Sequence, residues 1–457
     1  MNATSLLNDV AERLERVRDL NAVLAWSRDA LEAESNRSSG SGVLAGKAIG
    51  IKDNIVTTTL PTTCASRILE GYRSPFDATA IERIRAAGGL VACKTNLDEF
   101  AMGSSTEHSA YGRTMHPIDP TRVPGGSSGG SAALVASGAV SAALGSETGG
   151  SVRQPAAFCG VTGIKPSYGR VSRFGLVAFG SSLDCISTFG ATVSDAATLL
   201  SVISGGDPRD ATTYDLPPLE LADTPTDLSG VVIGVPDEYF PADLEGGIRA
   251  ACDRSLERMR EMGATIKRVS LPHTRYAVPT YYIINPAEAA ANLARFDGVR
   301  YGVRQVGSDG DIRALYRATR GRGFGAEVQR RILVGTFVLS AGYSARYYAR
   351  AQAARRRICE DFDKVFSAGV DLLFTPTTPS TAFRAGEKVD DPVQMYLADV
   401  FVAPASLAGI PAMSIPIGRC DGLPVGGQLI APRLEEAKMI AIASALESAI
   451  DATAEVR

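Results

Sequence analysis

The segment GSETGGSVRQP (residues 145–155) sets two adjacent glycines, Gly149 and Gly150, directly before Ser151, with Pro155 close behind. A second run of the same kind, PGGSSGGS (124–131), precedes it. Flexible Gly/Ser linkers separate domains, but PGGSSGGS leads straight into the apolar AALVASGAV (132–140), so a linker does not fit. A phosphate loop does not fit either, because no GxxxxGK[ST] pattern occurs. An isolated Gly-Gly-Ser most often marks a tight turn where two backbones pass closely. Two such runs, each presenting a serine, point further. A glycine pair lets successive N–H groups converge into a concavity that holds an anion. Donors of that kind contribute ~3–4 kcal/mol each to an acyl-transfer transition state. Ser151 is therefore a candidate nucleophile.

A serine nucleophile needs a base. The three histidines, His108, His116 and His273, lie in no Ser-His-Asp context. Lysine is scarce, eight residues against 39 arginines, so a lysine inside an apolar run carries information. Lys52, Lys94 and Lys165 are so placed, and Lys52, among Ile49, Ile51 and Ile55, is the best situated. Burial lowers a lysine pKa and makes neutral amine available. The plainer role for any one of them is a stem lying on the core with its head in water.

Composition sets the frame around these motifs. The chain has 457 residues, 45% hydrophobic and 21% charged, which suits a sizeable core and excludes wholesale disorder. A net charge of −3 offers no basic surplus for gripping phosphates, so any nucleic acid is expected on another chain. Seven scattered cysteines form no CxxC pair, and with three histidines no zinc-type cluster is expected. A reduced, cytoplasmic compartment fits best. No apolar stretch reaches membrane-spanning length, and the charged amphipathic N-terminus is not a signal peptide.

Along the chain, residues 1–36 read as two helical segments. Strand patterns at VLAGKAIGIKDNIV, GLVACKTN, VVIGVP, ATIKRVSLP, DLLFTPTTP and AMSIPIG alternate with helical ones, which argues for an α/β fold with a central sheet. Residues 205–230, rich in Pro and Asp, predict a long surface connection. Residues from about 285 to 360 read as a helical insertion within a single domain spanning 1–457.

Taken together, GIKDN, PGGSSGGS and ETGGSVRQPA resemble the amidase signature family, whose pattern is a Lys-Ser-Ser triad. The positions are Lys52, Ser127 and Ser151, and the intervals of 24 and 99 residues match the family. The resemblance implies a mixed β-sheet with helices on both faces and a cis peptide bond in the GGSSGG loop. It further implies an oxyanion hole from the N–H groups around Thr148, Gly149, Gly150 and Ser151. Within the family, KTNLDEFAMGSSTEHSAYG, YYIINPAEAAANLARFDGVRYG and GAEVQRRILVGTFVLSAGY are similar to the glutamine-hydrolysing A subunits of tRNA-dependent amidotransferases. That similarity implies a heterotrimer completed by B and C subunits, in which ammonia from glutamine passes to a partner. The partner holds mischarged tRNA and uses ATP and Mg2+, while this chain binds no cofactor and no metal.

By resemblance, Arg331 pairs the glutamine carboxylate, Asp399 takes its ammonium and Tyr282 positions it. Arg330 and Tyr281 are the neighbouring alternatives. The sequence departs from the family at Cys185, Ser187 and Thr188, which fall in the expected loop beside the nucleophile, and at Glu147, which replaces an aspartate. Two readings compete: a stand-alone amidase acting on small amides, and a scaffold chain without catalysis.

Overall fold

The computed structural model describes residues 3–305, 311–389 and 391–451. Eleven strands form one mixed sheet: β1 (Val23–Ala25), β2 (Ala48–Lys52), β3 (Leu90–Thr95), β4 (Ala142–Glu147), β5 (Thr162–Lys165), β6 (Cys185–Gly190), β7 (Val232–Pro236), β8 (Thr265–Val269), β9 (Leu372–Pro376), β10 (Ala412–Cys420) and β11 (Leu423–Ile430). Their spatial order is β1-β3-β2-β4-β6-β5-β10-β11-β9-β7-β8. β2 runs parallel to both β3 and β4, and β7 parallel to β8 and β9, while the remaining neighbours are antiparallel.

The central strands are covered on both faces. On β2 and β4, Ile49, Ile51, Ala142 and Leu144 enter one hydrophobic core, and Ala48 and Ala143 enter the other. Side chains alternate across a strand, so both sets are apolar and both faces carry helices. This is the reason AIGIK reads as a nearly continuous apolar run. The expected α/β architecture with a mixed sheet is observed.

Two parallel strands end side by side. Ile51 of β2 pairs in register with Leu144 of β4, so Lys52 and the Ser146–Glu147 end of β4 meet at the same sheet edge. In open α/β sheets, the crevice beyond the carboxyl ends of parallel strands is where ligands bind. The chain leaves β4 into the Thr148–Ser151 turn and then into the helix Arg153–Cys159. That helix ends at Gly160 in the left-handed conformation (φ 72°), its N–H donating to the Ala156 carbonyl.

Three features differ from the sequence reading. Residues 185–190 form the buried strand β6 between β4 and β5, not a loop. Residues 1–36 contain the short edge strand β1 beside their helices, paired with β3. The helical layer begins at Ala277, before the expected 285, and comprises Ala277–Leu293, Ile312–Gly323, Ala326–Leu339 and Tyr348–Ser367. Residues 204–231 hold no helix or named strand, as their composition predicts. Arg83 ties this segment down by donating to the carbonyls of Ile203, Ser204 and Gly206.

Candidate active site

All three lysines singled out in the sequence are buried, and their surroundings separate them. Lys94 is neutralised by Asp53, 3.0 Å away. Lys165 donates to the Pro166 carbonyl at 2.8 Å. Only Lys52 meets serine hydroxyls: its Nζ lies 2.7 Å from Ser127 Oγ, 2.7 Å from Ser128 Oγ and 3.1 Å from the Ser146 carbonyl. Burial drives the Lys52 pKa down to about 7, against the pull of Asp98, Asp184 and Glu147. A neutral amine has two N–H donors and one lone pair, which matches three partners of this kind.

The sequence reading does not single out Ser128. Its hydroxyl donates to the Ser146 carbonyl at 3.2 Å, which commits its proton to the strand end. The Ser-Ser doublet is the available signal, but it does not distinguish the two positions. Ser127 Oγ has no second partner among the described contacts.

Peptide geometry in this loop differs from the resemblance. All peptide bonds among the described residues are trans, and the chain reverses through left-handed Gly125 (φ 86°) and Gly126 (φ 52°). A Cβ on Gly126 would lie 3.0 Å from Ser151 Cα, so the loop carrying Ser127 packs directly on the candidate nucleophile.

At the nucleophile turn, Gly149 and Gly150 keep ordinary φ, and space is what demands glycine there. A Cβ on Gly149 would press on the Tyr281 ring at 3.0 Å, and one on Gly150 would collide with Val402. The Gly149 carbonyl accepts from Ser406 Oγ at 2.9 Å and from Arg153 at 3.2 Å. In a trans peptide C=O and N–H point opposite ways, so the Gly150 N–H faces away from Arg153 and Ser406. Glu147 sets the frame, its carboxylate accepting from the N–H groups of Val152 and Arg153 at 3.0 Å and from Arg153 Nε at 2.8 Å. Burial alone would raise the Glu147 pKa, but the Arg153 guanidinium holds it below the ordinary range. Both side chains are fully buried. Glu147→Ala therefore strands a buried guanidinium and is expected to cost ~3–5 kcal/mol, read by urea unfolding. A loss below ~1 kcal/mol would show that the pair does not organise the turn.

The departures at 185–188 leave this frame intact. Cys185 pairs in register with Glu147 and Ser187 with Gly145. Thr188 Oγ1 donates to the Ala196 carbonyl at 2.9 Å and Ser187 Oγ to the Cys185 carbonyl at 3.3 Å. Hydroxyls on a buried strand are satisfied locally, and the register of β4 is undisturbed.

The two tyrosines of the helix Ala277–Leu293 play different parts. Tyr281 Oη lies 2.7 Å from Thr148 Oγ1 and receives a bond from Asn285 Nδ2 at 2.5 Å, so Tyr281 is the one that touches the nucleophile turn. Tyr282 stacks on Tyr396 with ring centroids 3.4 Å apart. Arg331 sits over Tyr282 at 5.3 Å and over Phe179 at 5.7 Å, its Nε bonded to Glu327 at 2.6 Å. Its two terminal nitrogens have no protein partner among the described contacts. Arg330 points outward, 39% exposed and paired with Glu327. Asp399 accepts from Ser104 Oγ at 2.6 Å and from Gln154 Nε2 at 3.1 Å. Burial pushes its pKa up to about 7, opposed by the Ser104 hydrogen bond. A Cβ on Gly150 would stand 3.0 Å from Asp399 Oδ1, so this carboxylate borders the turn itself. Nothing in the sequence points to Ser104 and Gln154, because their partner lies more than 240 residues away.

The Amidase family model matches residues 6–440. The chain is 54% identical over 431 residues to the A subunit of the glutamyl-tRNA(Gln) amidotransferase of Chloroflexus aggregans, covering 94% of this chain and 88% of that one. The crystal structure of the corresponding amidotransferase chain from Thermotoga maritima superposes with a TM-score of 0.83 at 44% identity, over 98% of this chain and 91% of that one. The peptide amidase of Stenotrophomonas maltophilia superposes with a TM-score of 0.81 at 29% identity, over 99% and 94% of the two chains. With a family match over nearly its whole length, and a buried lysine bonded to paired serines beside a glycine-framed turn, this chain belongs to the amidase family.

Proposed function

We propose that this protein is the glutamine-hydrolysing A subunit of a tRNA-dependent amidotransferase, acting through Lys52, Ser127 and Ser151. The observation that carries the reading is a pair of buried side chains of opposite charge type near the Thr148–Ser151 turn, Asp399 bordering Gly150 and Arg331 lying over Tyr282. Glutamine presents a carboxylate and an ammonium at one carbon, and its side-chain amide extends away from both. Arg331, through its free terminal nitrogens, suits the carboxylate. Asp399 suits the ammonium, and Tyr282 closes the aromatic wall behind it. A stand-alone amidase for simple apolar amides would have no use for this charge pair, and a lapsed scaffold would have no use for a lysine held near neutrality.

The mechanism follows from the proton inventory. Ser151 Oγ attacks the amide carbon as its proton passes to Ser127 and that of Ser127 to neutral Lys52. The tetrahedral oxyanion is received by the N–H groups of the Thr148–Ser151 turn. Proton return through Ser127 to the amide nitrogen expels ammonia and leaves a glutamyl ester on Ser151. Water, activated by the same relay, then releases glutamate. In the complex with the B and C subunits, ammonia goes to the partner that holds the mischarged tRNA and uses ATP and Mg2+. Residues 1–457 read as one amidase domain, with 1–36 its N-terminal segment and the helical layer that begins at Ala277, in place of the expected 285–360, the insertion that carries Arg331.

The test is ammonia release from glutamine, with and without partner subunits, ATP and mischarged tRNA. Hydrolysis of simple amides with none of glutamine would overturn the reading. Arg331→Met is expected to raise KM for glutamine roughly 100-fold through loss of a charge-assisted bidentate pair, with kcat changing much less. An unchanged KM would remove Arg331 from the binding site.

A further inference from the structure

The helix Ala326–Leu339 has two faces with different chemistry. Inward it carries the buried Glu327 and Arg331, and it meets the helix Ala277–Leu293 so closely that a Cβ on Gly335 would run into the Pro286 carbonyl. Outward, Leu333 is 70% and Phe337 50% exposed, and Val334 and Leu339 are exposed as well. Leu333 and Val334 stand four and three residues before Phe337, on one helical face. The following turn adds two more exposed rings, with Tyr343 4.7 Å and Tyr347 6.0 Å from Phe337. A contiguous exposed apolar patch of this kind marks an interaction site.

Charge around the patch narrows what can cover it. Residues 311–357 hold eleven arginines and two acidic residues, of which Arg331 is buried and Arg330 and Arg357 are ion-paired. Arg346 and Arg350, beside Tyr343 and Tyr347, are exposed and have no acidic partner among the described contacts. An aromatic centre with an arginine rim has the make-up of a protein interface. A second copy of this chain, docking through the same face, would set one arginine rim against another, which is repulsive.

We propose that this face docks the ammonia-accepting partner subunit, through a partner surface apolar at its centre and acidic at its rim. The proposal rests on the amidotransferase reading above and locates its partner. Position supports it: the helix that offers Leu333 and Phe337 outward is the wall that holds Arg331 inward. A partner seated there lies on the outer face of the helix whose inner face carries Arg331. It also bears on the nucleophile turn, because Gly335 abuts Pro286 on the helix whose Tyr281 holds Thr148. Docking is thereby coupled to both the glutamine clamp and the oxyanion turn.

The test uses the full chain co-expressed with the other amidotransferase subunits of its organism. The double variant Leu333→Glu, Phe337→Glu is expected to weaken assembly at least about tenfold, since charge is driven into an apolar contact centre. Its melting temperature as an isolated chain should match the wild type, because both positions are exposed. A benzophenone amino acid at Tyr343 is expected to crosslink to the partner subunit. Equal affinity of the double variant, failure of the wild-type chain to bind those subunits, or a crosslink joining two copies of this chain would each overturn the proposal. Glutamine hydrolysis by the wild-type complex is measured in parallel. A complex that assembles through this face without releasing ammonia from glutamine overturns the functional reading and leaves the docking face standing. Hydrolysis with assembly insensitive to the double variant does the reverse.

Discussion

Ser151→Ala is expected to lower glutamine-dependent ammonia release by a factor on the order of 10^4 to 10^6, because the members of a nucleophile–base unit fail together. The structure gives a reason for the loss to be chemical. Ser151 is followed by a helix whose first N–H groups are capped by Glu147, and that cap involves no atom of the Ser151 side chain. The turn is further held by Ser406 and Arg153 on the Gly149 carbonyl and by Tyr281 on Thr148. Removing one hydroxyl leaves all of these in place, so the variant should fold and assemble normally. In the complete complex, Ser151→Ala should still support amidation of mischarged tRNA from added ammonium, which bypasses this site. Full glutaminase turnover in the variant would remove Ser151 from the reaction, and loss of ammonium-dependent amidation would show that the change had damaged the assembly instead.

What could be read in the sequence was local. Lys52, Ser127 and Ser151 sit in short runs whose glycines and neighbours advertise a turn or a buried strand, and the structure gathers Lys52 and Ser127 within hydrogen-bond distance. The reason for the glycines was only partly legible. Gly149 and Gly150 read as a pair that lets N–H groups converge in a turn, yet space demands glycine there because Tyr281 and Val402, each more than 130 residues away in sequence, press on them. Cys185–Thr188 read as a loop by analogy with family members, whereas pairing with β4 on one side and β5 on the other makes it a fully buried strand. Glu147 read only as a departure from the family's aspartate, and Arg153 drew no separate reading. Only packing shows a fully buried pair that caps a helix and fixes a carbonyl. Arg330 and Arg331 are adjacent and chemically identical in sequence, and the distinction between them is where the helix turns each one. Residues with nonlocal partners, such as Gln154 and Ser104 on Asp399, carry no sequence signal at all.

Lys52→Met is expected to be nearly as severe as loss of the nucleophile, lowering kcat on the order of 10^4-fold, and its pH behaviour tests the mechanism more sharply than the loss itself. The relay needs a neutral amine. With the Lys52 pKa drawn down to about 7 by burial, kcat should rise with pH through about 7 and level off above it. Asp399, pushed up to about 7, must be ionised to hold the glutamine ammonium, so KM should climb as pH falls below the same region. The two effects separate because one acts on turnover and the other on binding. Lys52 also leaves a mark on stability that is independent of catalysis. Between about 7 and 10.5 the unfolded chain carries a proton on this lysine that the folded chain does not. Stability must therefore increase with pH across that window, by up to ~1.4 kcal/mol per pH unit from this group. Below about 7 both states are protonated and the contribution is flat. Lys52→Met abolishes that slope and leaves every other titrating group, Lys165 included, in both proteins. The difference between wild-type and Lys52→Met unfolding free energies, followed by urea titration from about pH 7.5 to about pH 9.5, isolates the contribution of this one lysine. A difference that does not change with pH would mean that Lys52 is charged in the folded protein, and the serine relay would then lack its base.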